Sequence, residues 1–422
     1  VERLAWLIAE LARAHGTRQV VDLGSGQGYL SRALAYQHGL DVLAVDADDV
    51  QTCGAQRYQR QTERHARRVE DRAPEQSQAY QPNVAPQGDS VAGEGEGNMP
   101  ARGVLVHATH RVTERSLDEL LAALHAKADH GTAGVSTEAD EPPSGDASAS
   151  APARDDHRSG RVPWLLCGLH TCGDLAPSSL RLFVESDAHL LVNVGCCYNL
   201  LTESAVTSGA NDQTNAGFPM SHWLRTELTR QGEAPSLGLT ARHLACQAPG
   251  RWPSQAEATH QAFERNYYRA LLHLFMVEHG MAAANVDAPR IGQLGRKPLP
   301  TFAAYAIAAL RKLARSDRLS ADQSARLHAF LAAPGDDPQA PAAVLEAFAA
   351  QHADGRRQVA AFWTLRALLA PALERLLLQD RVHYLREQGH DAWIIALFDP
   401  QASPRNLALV SVKTAEPAPV HD

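Results

Sequence analysis

The chain has 422 residues, 44% of them hydrophobic and 21% charged, and a formal net charge of −8 at pH 7. Its length allows one large domain with insertions or two to three smaller domains, and its apolar content is ample for a core. The acidic balance argues against a protein that coats nucleic acid by bulk electrostatics, and the lack of any run of ~20 apolar residues argues against a membrane span.

The first predicted elements are a helix and a strand that runs into a glycine loop. Apolar residues at helical spacing from Leu4 onward predict an amphipathic helix that is already under way at Val1, so the native chain is expected to begin earlier. Residues 19–23 predict an apolar strand, which breaks at three alternate glycines before a second helix. Residues 41–45 predict the next strand, and Asp46 closes it.

The glycine loop and the acidic residue after the second strand predict a nucleoside site. Alternate glycines let the backbone turn sharply and approach a ligand, and a carboxylate about 20 residues on can accept both ribose hydroxyls. A dinucleotide site reads G-x-G-x-x-G, whereas this loop reads Asp-x-Gly-x-Gly-x-Gly, in which Asp22 would attract a cationic ligand and oppose a pyrophosphate. The pattern therefore favours S-adenosylmethionine over NAD, with a turn that binds no ligand as a further alternative. The residues predicted to bind the cofactor are Asp22, Gly24, Ser25, Gly26, Gly28 and Asp46.

Two low-complexity stretches interrupt the elements that follow. Residues 103–107 predict a third strand, and residues 117–124 predict a leucine-rich helix. The stretches at 70–100 and 130–161 are rich in Gln, Pro, Gly, Ser and Glu, so both are predicted to be disordered insertions. The first part of the nucleoside-binding domain is expected to span residues 1–200.

Two short apolar runs, at 164–169 and 190–194, predict buried strands that end in polar and sulfur-bearing residues. Ligands of an open α/β sheet bind beyond the carboxyl ends of its strands, so the two loops are expected to line an acceptor pocket beside the cofactor. The candidate residues are His170, Cys172, Asp174, Cys196, Cys197, Tyr198 and Asn199.

A catalytic and a structural interpretation of these loops both stay open. In the catalytic interpretation, His170 acts as a general base and Asp174 orients a substrate amine, while Tyr198 and Asn199 bind the acceptor. In the structural interpretation, the residues shape the pocket and cap helices, with Asp174 as the N-cap of the helix that follows it. Methyl transfer needs little acid–base help when the nucleophile is good, so both interpretations are compatible with catalysis.

A metal site is a third interpretation of the same loops. His170 with the thiolates of Cys172, Cys196 and Cys197 is a combination that zinc accepts. No C-x-x-C spacing supports it, however, and adjacent cysteines seldom ligate one ion, so no metal is assigned. The 6 cysteines of the chain also do not form a secreted disulfide framework, which favours a reducing compartment.

The second half of the chain is mainly helical in pattern. Residues 201–390 are predicted to form a helical insertion, because apolar residues recur there at intervals of three and four. Its aromatic residues, among them Phe263, Tyr267 and Phe362, are expected to be core.

The chain then returns to strand character. Residues 393–398 and 407–412 predict two strands, and the loop of eight residues with two prolines between them suits an antiparallel pair. This pair, within 391–415, is expected to complete the sheet. The predicted fold class is α/β, a Rossmann-like, doubly wound and mostly parallel sheet with one antiparallel strand and a helical insertion.

The motifs at 20–32, 168–175 and 194–199 resemble those of the methyltransferase-like protein 25 family, a relative of the ribosomal RNA adenine dimethylase domain-containing protein. Further matches lie at 217–221, 268–272, 398–400 and 403–406. The resemblance implies a Rossmann-like methyltransferase domain interrupted by a helical insertion, and similar proteins carry a further N-terminal region. The loop after the fourth strand lacks the Asn/Asp-Pro-Pro-aromatic tetrapeptide of many amino-methylating enzymes, so the adenine substrate is not carried over.

The expected function is an S-adenosylmethionine-dependent methyltransferase that acts on a macromolecule, either protein or RNA. The alternative is a weak or inactive cofactor-binding scaffold that binds a partner through its helical insertion. No signal favours DNA or a membrane as partner, and none indicates an oligomeric state. Without a signal peptide or a disulfide framework, an intracellular location, cytoplasmic or nuclear, is expected.

Overall fold

The computed structural model describes residues 1–77, 102–111, 163–203, 216–230, 236–284, 299–332 and 340–414, and the single positions 232, 289, 291, 292 and 294. The chain divides into two compact units, one formed by Val1–Cys246 with Ala372–Asp422 and the other by Gln247–Pro371. The insertion predicted at 201–390 therefore includes the second unit and also flanking helices that belong to the first. None of the described helices is both long and apolar enough to cross a bilayer.

The first unit is built on a seven-stranded sheet. Its strands are β1 (Gln19–Leu23), β2 (Asp41–Asp46), β3 (Leu105–Thr109), β4 (Trp164–Thr171), β5 (Ala188–Gly195), β6 (Asp391–Ala396) and β7 (Leu407–Val412). They lie in the order β3-β2-β1-β4-β5-β7-β6. The strands from β3 to β5 pair in parallel, whereas β7 is antiparallel to both β5 and β6. The predicted Rossmann-like class, with one antiparallel strand, is confirmed.

Helices surround this sheet and form the second unit. They are α1 (Glu2–Ala14), α2 (Tyr29–His38), α3 (Asp49–Ser77), α4 (Leu175–Glu185), α5 (His222–Arg230), α6 (Gly238–Ala245), α7 (Ala256–Glu278), α8 (Phe302–Leu313), α9 (Ala321–Ala332), α10 (Ala340–Gln351), α11 (Gly355–Leu368) and α12 (Ala370–Glu387).

Two predictions made between β2 and β4 change in the structure. Helix α3 continues to Ser77, so the first residues of the stretch predicted to be disordered at 70–100 are helical. Strand β3 begins two residues later than predicted, because the N–H of Gly103 donates to the carbonyl oxygen of Ala35 in α2 instead of joining the sheet. The rest of 70–100, the helix predicted at 117–124 and the stretch at 130–161 lie outside the described residues.

The sheet is buried on both faces, which explains its continuous apolar strands. Val20 packs with Leu4 and Ile8 of α1 in one apolar cluster. The next residue, Val21, points to the opposite face and packs in a second cluster with Phe183 of α4. Packing on both faces fixes the position of β1 and its neighbours. The glycine loop and the loops after β4 and β5 extend from the carboxyl ends of these strands.

The second unit has its own core of α7 to α10, in which Tyr267 is buried and Phe263 is partly buried, as predicted. Phe362, also predicted to be core, is 62% exposed. Helical spacing identifies an apolar stripe, but it does not tell whether another element covers that stripe. Leu365 and other apolar residues of α11 are exposed on the same helix.

Candidate functional site

The glycine loop between β1 and α2 has the backbone conformation that the sequence predicts. Gly24, Gly26 and Gly28 have φ angles of +68°, +54° and +69°. Residues with a side chain rarely adopt such angles, so glycine is required at these positions. The backbone N–H groups of Gly24 and Ser25 donate to the carbonyl oxygen of Val45, at 2.9 and 3.1 Å, and fasten the loop to the end of β2.

The three glycines differ in what surrounds them. A Cβ atom on Gly24 would lie 2.8 Å from the side chain of Leu175, and one on Gly28 would lie 2.9 Å from the ring of His107. A Cβ atom on Gly26 would meet nothing within 4 Å. Close packing therefore excludes side chains at the first and third glycines, whereas the middle glycine borders open space that a ligand can enter.

Asp46 holds the open part of the loop. Its Oδ2 accepts the backbone N–H of Gly26 and its Oδ1 accepts that of Asp48, each at 2.9 Å. Each carboxylate oxygen has two acceptor sites, so both can still accept a hydroxyl hydrogen from a ribose. The side chain is half-buried at the carboxyl end of β2, where a nucleoside site of this fold is expected.

Asp22 lies beneath the loop and not on its surface. Its side chain is buried, and its Oδ2 accepts a hydrogen bond from Ser31 Oγ at 2.6 Å. Burial raises the pKa of this carboxyl to about 7, and the nearby charge of Asp46 raises the pKa further, against the effect of the Ser31 hydrogen bond. The sequence predicts that Asp22 attracts the ligand directly. In the structure, the hydrogen bond of Asp22 with Ser31 instead joins β1 to α2.

The loop after β4 lies against the glycine loop. The carbonyl oxygen of His170 is 3.9 Å from the position of a Cβ on Gly24. The His170 side chain is exposed at the end of β4 and makes no hydrogen bond with the described residues. The structure thus places the backbone of His170 beside the glycine loop and leaves its side chain exposed. The catalytic role of His170 stays a prediction.

Asp174 has a different role from the predicted helix cap. It precedes α4, but its side chain makes no capping hydrogen bond there. Instead, Asp174 Oδ1 accepts the backbone N–H of Thr202 at 2.8 Å. The carboxylate joins the loop after β4 to the segment after β5, because the two strands are neighbours and their loops leave the sheet side by side.

The two predicted loops bring three thiols together. Sγ of Cys172 lies 2.9 Å from Sγ of Cys196, which lies 3.6 Å from Sγ of Cys197. All three sulfurs are within 4.8 Å of one another, and of the described residues no histidine or carboxylate joins this group, so His170 is not part of it. Burial raises the pKa of both Cys172 and Cys196. We refer to these three residues as the thiol cluster.

Tyr198 does not line the mouth of the pocket. Its side chain is only 2% exposed, and its hydroxyl donates to Glu374 Oε1 at 3.1 Å. The guanidinium groups of Arg381 and Arg405 lie 5.6 and 5.5 Å from the centre of its ring. The prediction that Tyr198 binds the acceptor is therefore wrong. A short 3₁₀ turn at 198–200 directs the ring into the core, where residues of α12 pack with it.

The remaining predicted residue, Asn199, lies within the same turn and is half-buried. Its Oδ1 accepts a hydrogen bond from the thiol of Cys246 at 3.4 Å. This contact ties the turn after β5 to the end of α6, so the side chain supports the loop that carries the thiol cluster.

The structure adds residues that the sequence analysis missed. His110 follows β3, and its backbone N–H donates to the carbonyl oxygen of Asp46 at 2.9 Å, so the end of β3 borders the predicted nucleoside site. A correct boundary for β3 could have found it. Arg381 is fully buried beside β5, and no local signal links it to residues nearly 190 positions earlier in the chain.

Comparisons of the sequence with known proteins show similarity to methyltransferases. A family profile described as a methyltransferase domain matches residues 1–204. The human "Probable methyltransferase-like protein 25" is 26% identical over 487 aligned residues, which cover 98% of this chain and 73% of the human protein. The mouse protein of the same name is also 26% identical, with coverage of 98% and 74%. No solved structure matches the chain. The resemblance that the motifs indicate is confirmed.

Proposed function

We propose that this chain, a relative of methyltransferase-like protein 25 that carries a methyltransferase domain, transfers a methyl group from S-adenosylmethionine to a protein or an RNA. The main support for this proposal is the geometry around Gly26 and Asp46. Gly26 borders open space while its backbone N–H is held by Asp46, so the loop offers a close approach for a ligand beside a carboxylate suited to ribose.

We expect the cofactor to bind in this arrangement without rearrangement of the loop. Asp46 would accept the ribose hydroxyls, and the backbone around Gly26 would lie against the nucleoside. The backbone at His110, next to Asp46, would border the adenine side of the site. When bound, S-adenosylmethionine supplies a methyl group on a positively charged sulfur, which makes the methyl carbon electrophilic. Positioning of the acceptor then supplies much of the rate enhancement.

His170 is the residue we assign to the acceptor. Its backbone lies next to Gly24 and its side chain is exposed. Its ring nitrogens make no hydrogen bonds with the described residues, so the nitrogen without a hydrogen can accept a proton from an acceptor amine or hydroxyl. Asp174 and Tyr198 are engaged in contacts within the protein, and we assign them to support of the loops.

The first test concerns the ribose clamp. The Asp46→Ala substitution should weaken binding of S-adenosylmethionine 10- to 100-fold, because a hydrogen bond to a charged group is worth about 1.5–3 kcal/mol. Calorimetric titration would measure the dissociation constant. Asp49→Ala is the matched control, since this exposed carboxylate in the first turn of α3 removes the same charge nearby. Equal dissociation constants for the two variants would contradict the assignment.

A second test identifies the acceptor. The full chain is incubated with S-adenosylmethionine labelled in the methyl group and with fractionated cell extract, and the products are treated separately with protease and ribonuclease. We expect label in one of the two polymers and at least a 10-fold loss with His170→Ala at unchanged cofactor affinity. Cofactor binding without transfer to either polymer would favour the scaffold alternative, for which the exposed apolar residues of α11 offer a partner surface.

A further inference from the structure

The thiol cluster has the composition and placement of a metal site. Zinc binds thiolate sulfur at about 2.3 Å, and two ligands of a tetrahedral ion are then about 3.8 Å apart. The observed separations are 2.9 Å between Cys172 and Cys196 and 3.6 Å between Cys196 and Cys197. We propose that Cys172, Cys196 and Cys197 together bind one zinc ion. This proposal does not depend on the function proposed above.

The backbone that carries the cluster is fixed by the sheet. Thr171 of β4 pairs with Gly195 of β5, so the residues that follow each of them leave the sheet at the same place. Cys172 and Cys196 are 24 positions apart in the chain but are neighbours across this pair. We expect small rotations of the side chains to bring the sulfurs to the spacing that zinc requires while the strands stay in place.

The sequence argument against adjacent ligands does not hold in this backbone. Cys197 has φ and ψ angles of −93° and 70°, and the chain turns there into the 3₁₀ turn at 198–200. The sulfurs of Cys196 and Cys197 lie 3.6 Å apart here, whereas an extended backbone would point the two side chains to opposite faces.

A buried arginine provides an independent argument. Three thiolates around a divalent zinc ion carry a net charge of −1. Arg381 is fully buried, and its Nη1 finds no hydrogen-bond partner among the described residues. Tyr198, Asp380 and Asp174 interact with its charge, and Cys196 does so more weakly. The same Nη1 atom lies 2.6 Å from the position of a Cβ on Gly195, immediately before the cluster. A buried N–H group without an acceptor is costly, and an anionic zinc–thiolate group beside this Nη1 atom would offset that cost.

Zinc binding to the thiol cluster is an exchange of a metal ion for protons. One zinc ion replaces the three thiol protons, which pass to solvent, and no electrons are transferred. Three protein ligands leave one position of a tetrahedral ion for water or for an acceptor atom, which is the arrangement of catalytic zinc sites. Cys172 is exposed, so that position can be reached from solvent.

The test is the metal content of the full chain. After loading with zinc sulfate and gel filtration, elemental analysis should give about one zinc ion per chain for the unmodified protein. Cys172→Ser and Cys197→Ser should each lower the content at least about fivefold. Cys53→Ser, which removes an exposed thiol on α3, is the matched control and should keep the full content.

A second measurement uses the unmodified chain, so its result does not depend on whether the variants fold. Loading the unmodified chain with cobalt chloride should produce strong thiolate-to-cobalt absorption in the near ultraviolet, and zinc should abolish it. A chain that shows free thiols but neither retains zinc nor gives this absorption would overturn the proposal. Equal zinc in the Cys172→Ser and Cys53→Ser proteins would also overturn it. Cofactor affinity measured in parallel distinguishes this failure from a failure of the methyltransferase assignment.

Discussion

The Gly26→Arg substitution is expected to weaken binding of S-adenosylmethionine by about 100-fold or more, because the cofactor would lie against the backbone at this position. A Cβ on Gly26 meets no atom within 4 Å, so the arginine side chain fits the folded protein but occupies the space that we assign to the cofactor. Calorimetric titration with the cofactor and with its demethylated product would measure the loss.

Gly16→Arg is a closely matched control. Gly16 follows α1, has a φ angle of +66° and also has nothing within 4 Å of its Cβ position. Both substitutions place a side chain in the left-handed region, which costs about 1–2 kcal/mol of stability in each variant. Only the variant at Gly26 should lose the cofactor. If the two arginine variants bind the cofactor equally well, the glycine loop is not the binding site.

The buried carboxyl of Asp22 should make the stability of the first unit fall between pH 4 and pH 7. Its pKa rises from 3.8, the ordinary value, to about 7 in the folded protein, mainly through burial. Below pH 4 the carboxyl is protonated in both states. Between the two values the unfolded chain ionises while the folded protein keeps its proton, so unfolding becomes more favourable as the pH rises. The interval corresponds to roughly 4 kcal/mol.

The Asp22→Asn variant should lose this fall, because an amide does not titrate in this range. Its carbonyl oxygen can still accept the hydrogen bond from Ser31, so the join between β1 and α2 is kept. Relative to the unmodified protein, the variant should therefore gain roughly 4 kcal/mol of unfolding free energy between pH 4 and pH 8. Urea unfolding of the first unit without cofactor, measured across this range, would determine the difference.

Ser31→Ala provides a check in the opposite direction. The Ser31 hydrogen bond lowers the pKa of Asp22, so its removal should raise that pKa and extend the loss of stability to higher pH. If the Asp22→Asn and unmodified proteins show the same pH dependence of stability, the carboxyl does not titrate as the structure indicates.

Local sequence patterns are sufficient to predict the backbone of the proposed nucleoside site. Alternate glycines that follow an apolar strand predict the loop at Gly24 to Gly28, and the next strand places Asp46 beside it. The alternation of strands and helices predicts the Rossmann-like sheet, and the short loop between the last two strands predicts their antiparallel pairing. These features depend on residues within a few positions of one another, where periodicity and turn chemistry act directly.

The contacts of the side chains depend on packing between segments that are far apart in the chain. Tyr198 is buried because Glu374 binds its hydroxyl from 176 positions away, and Phe362 is exposed because no described element covers its side of α11. Cys172 and Cys196 meet because their strands are paired in the sheet. Local sequence determines where a strand ends, but the direction and environment of the next side chain depend on packing against distant segments, whose arrangement no local pattern encodes.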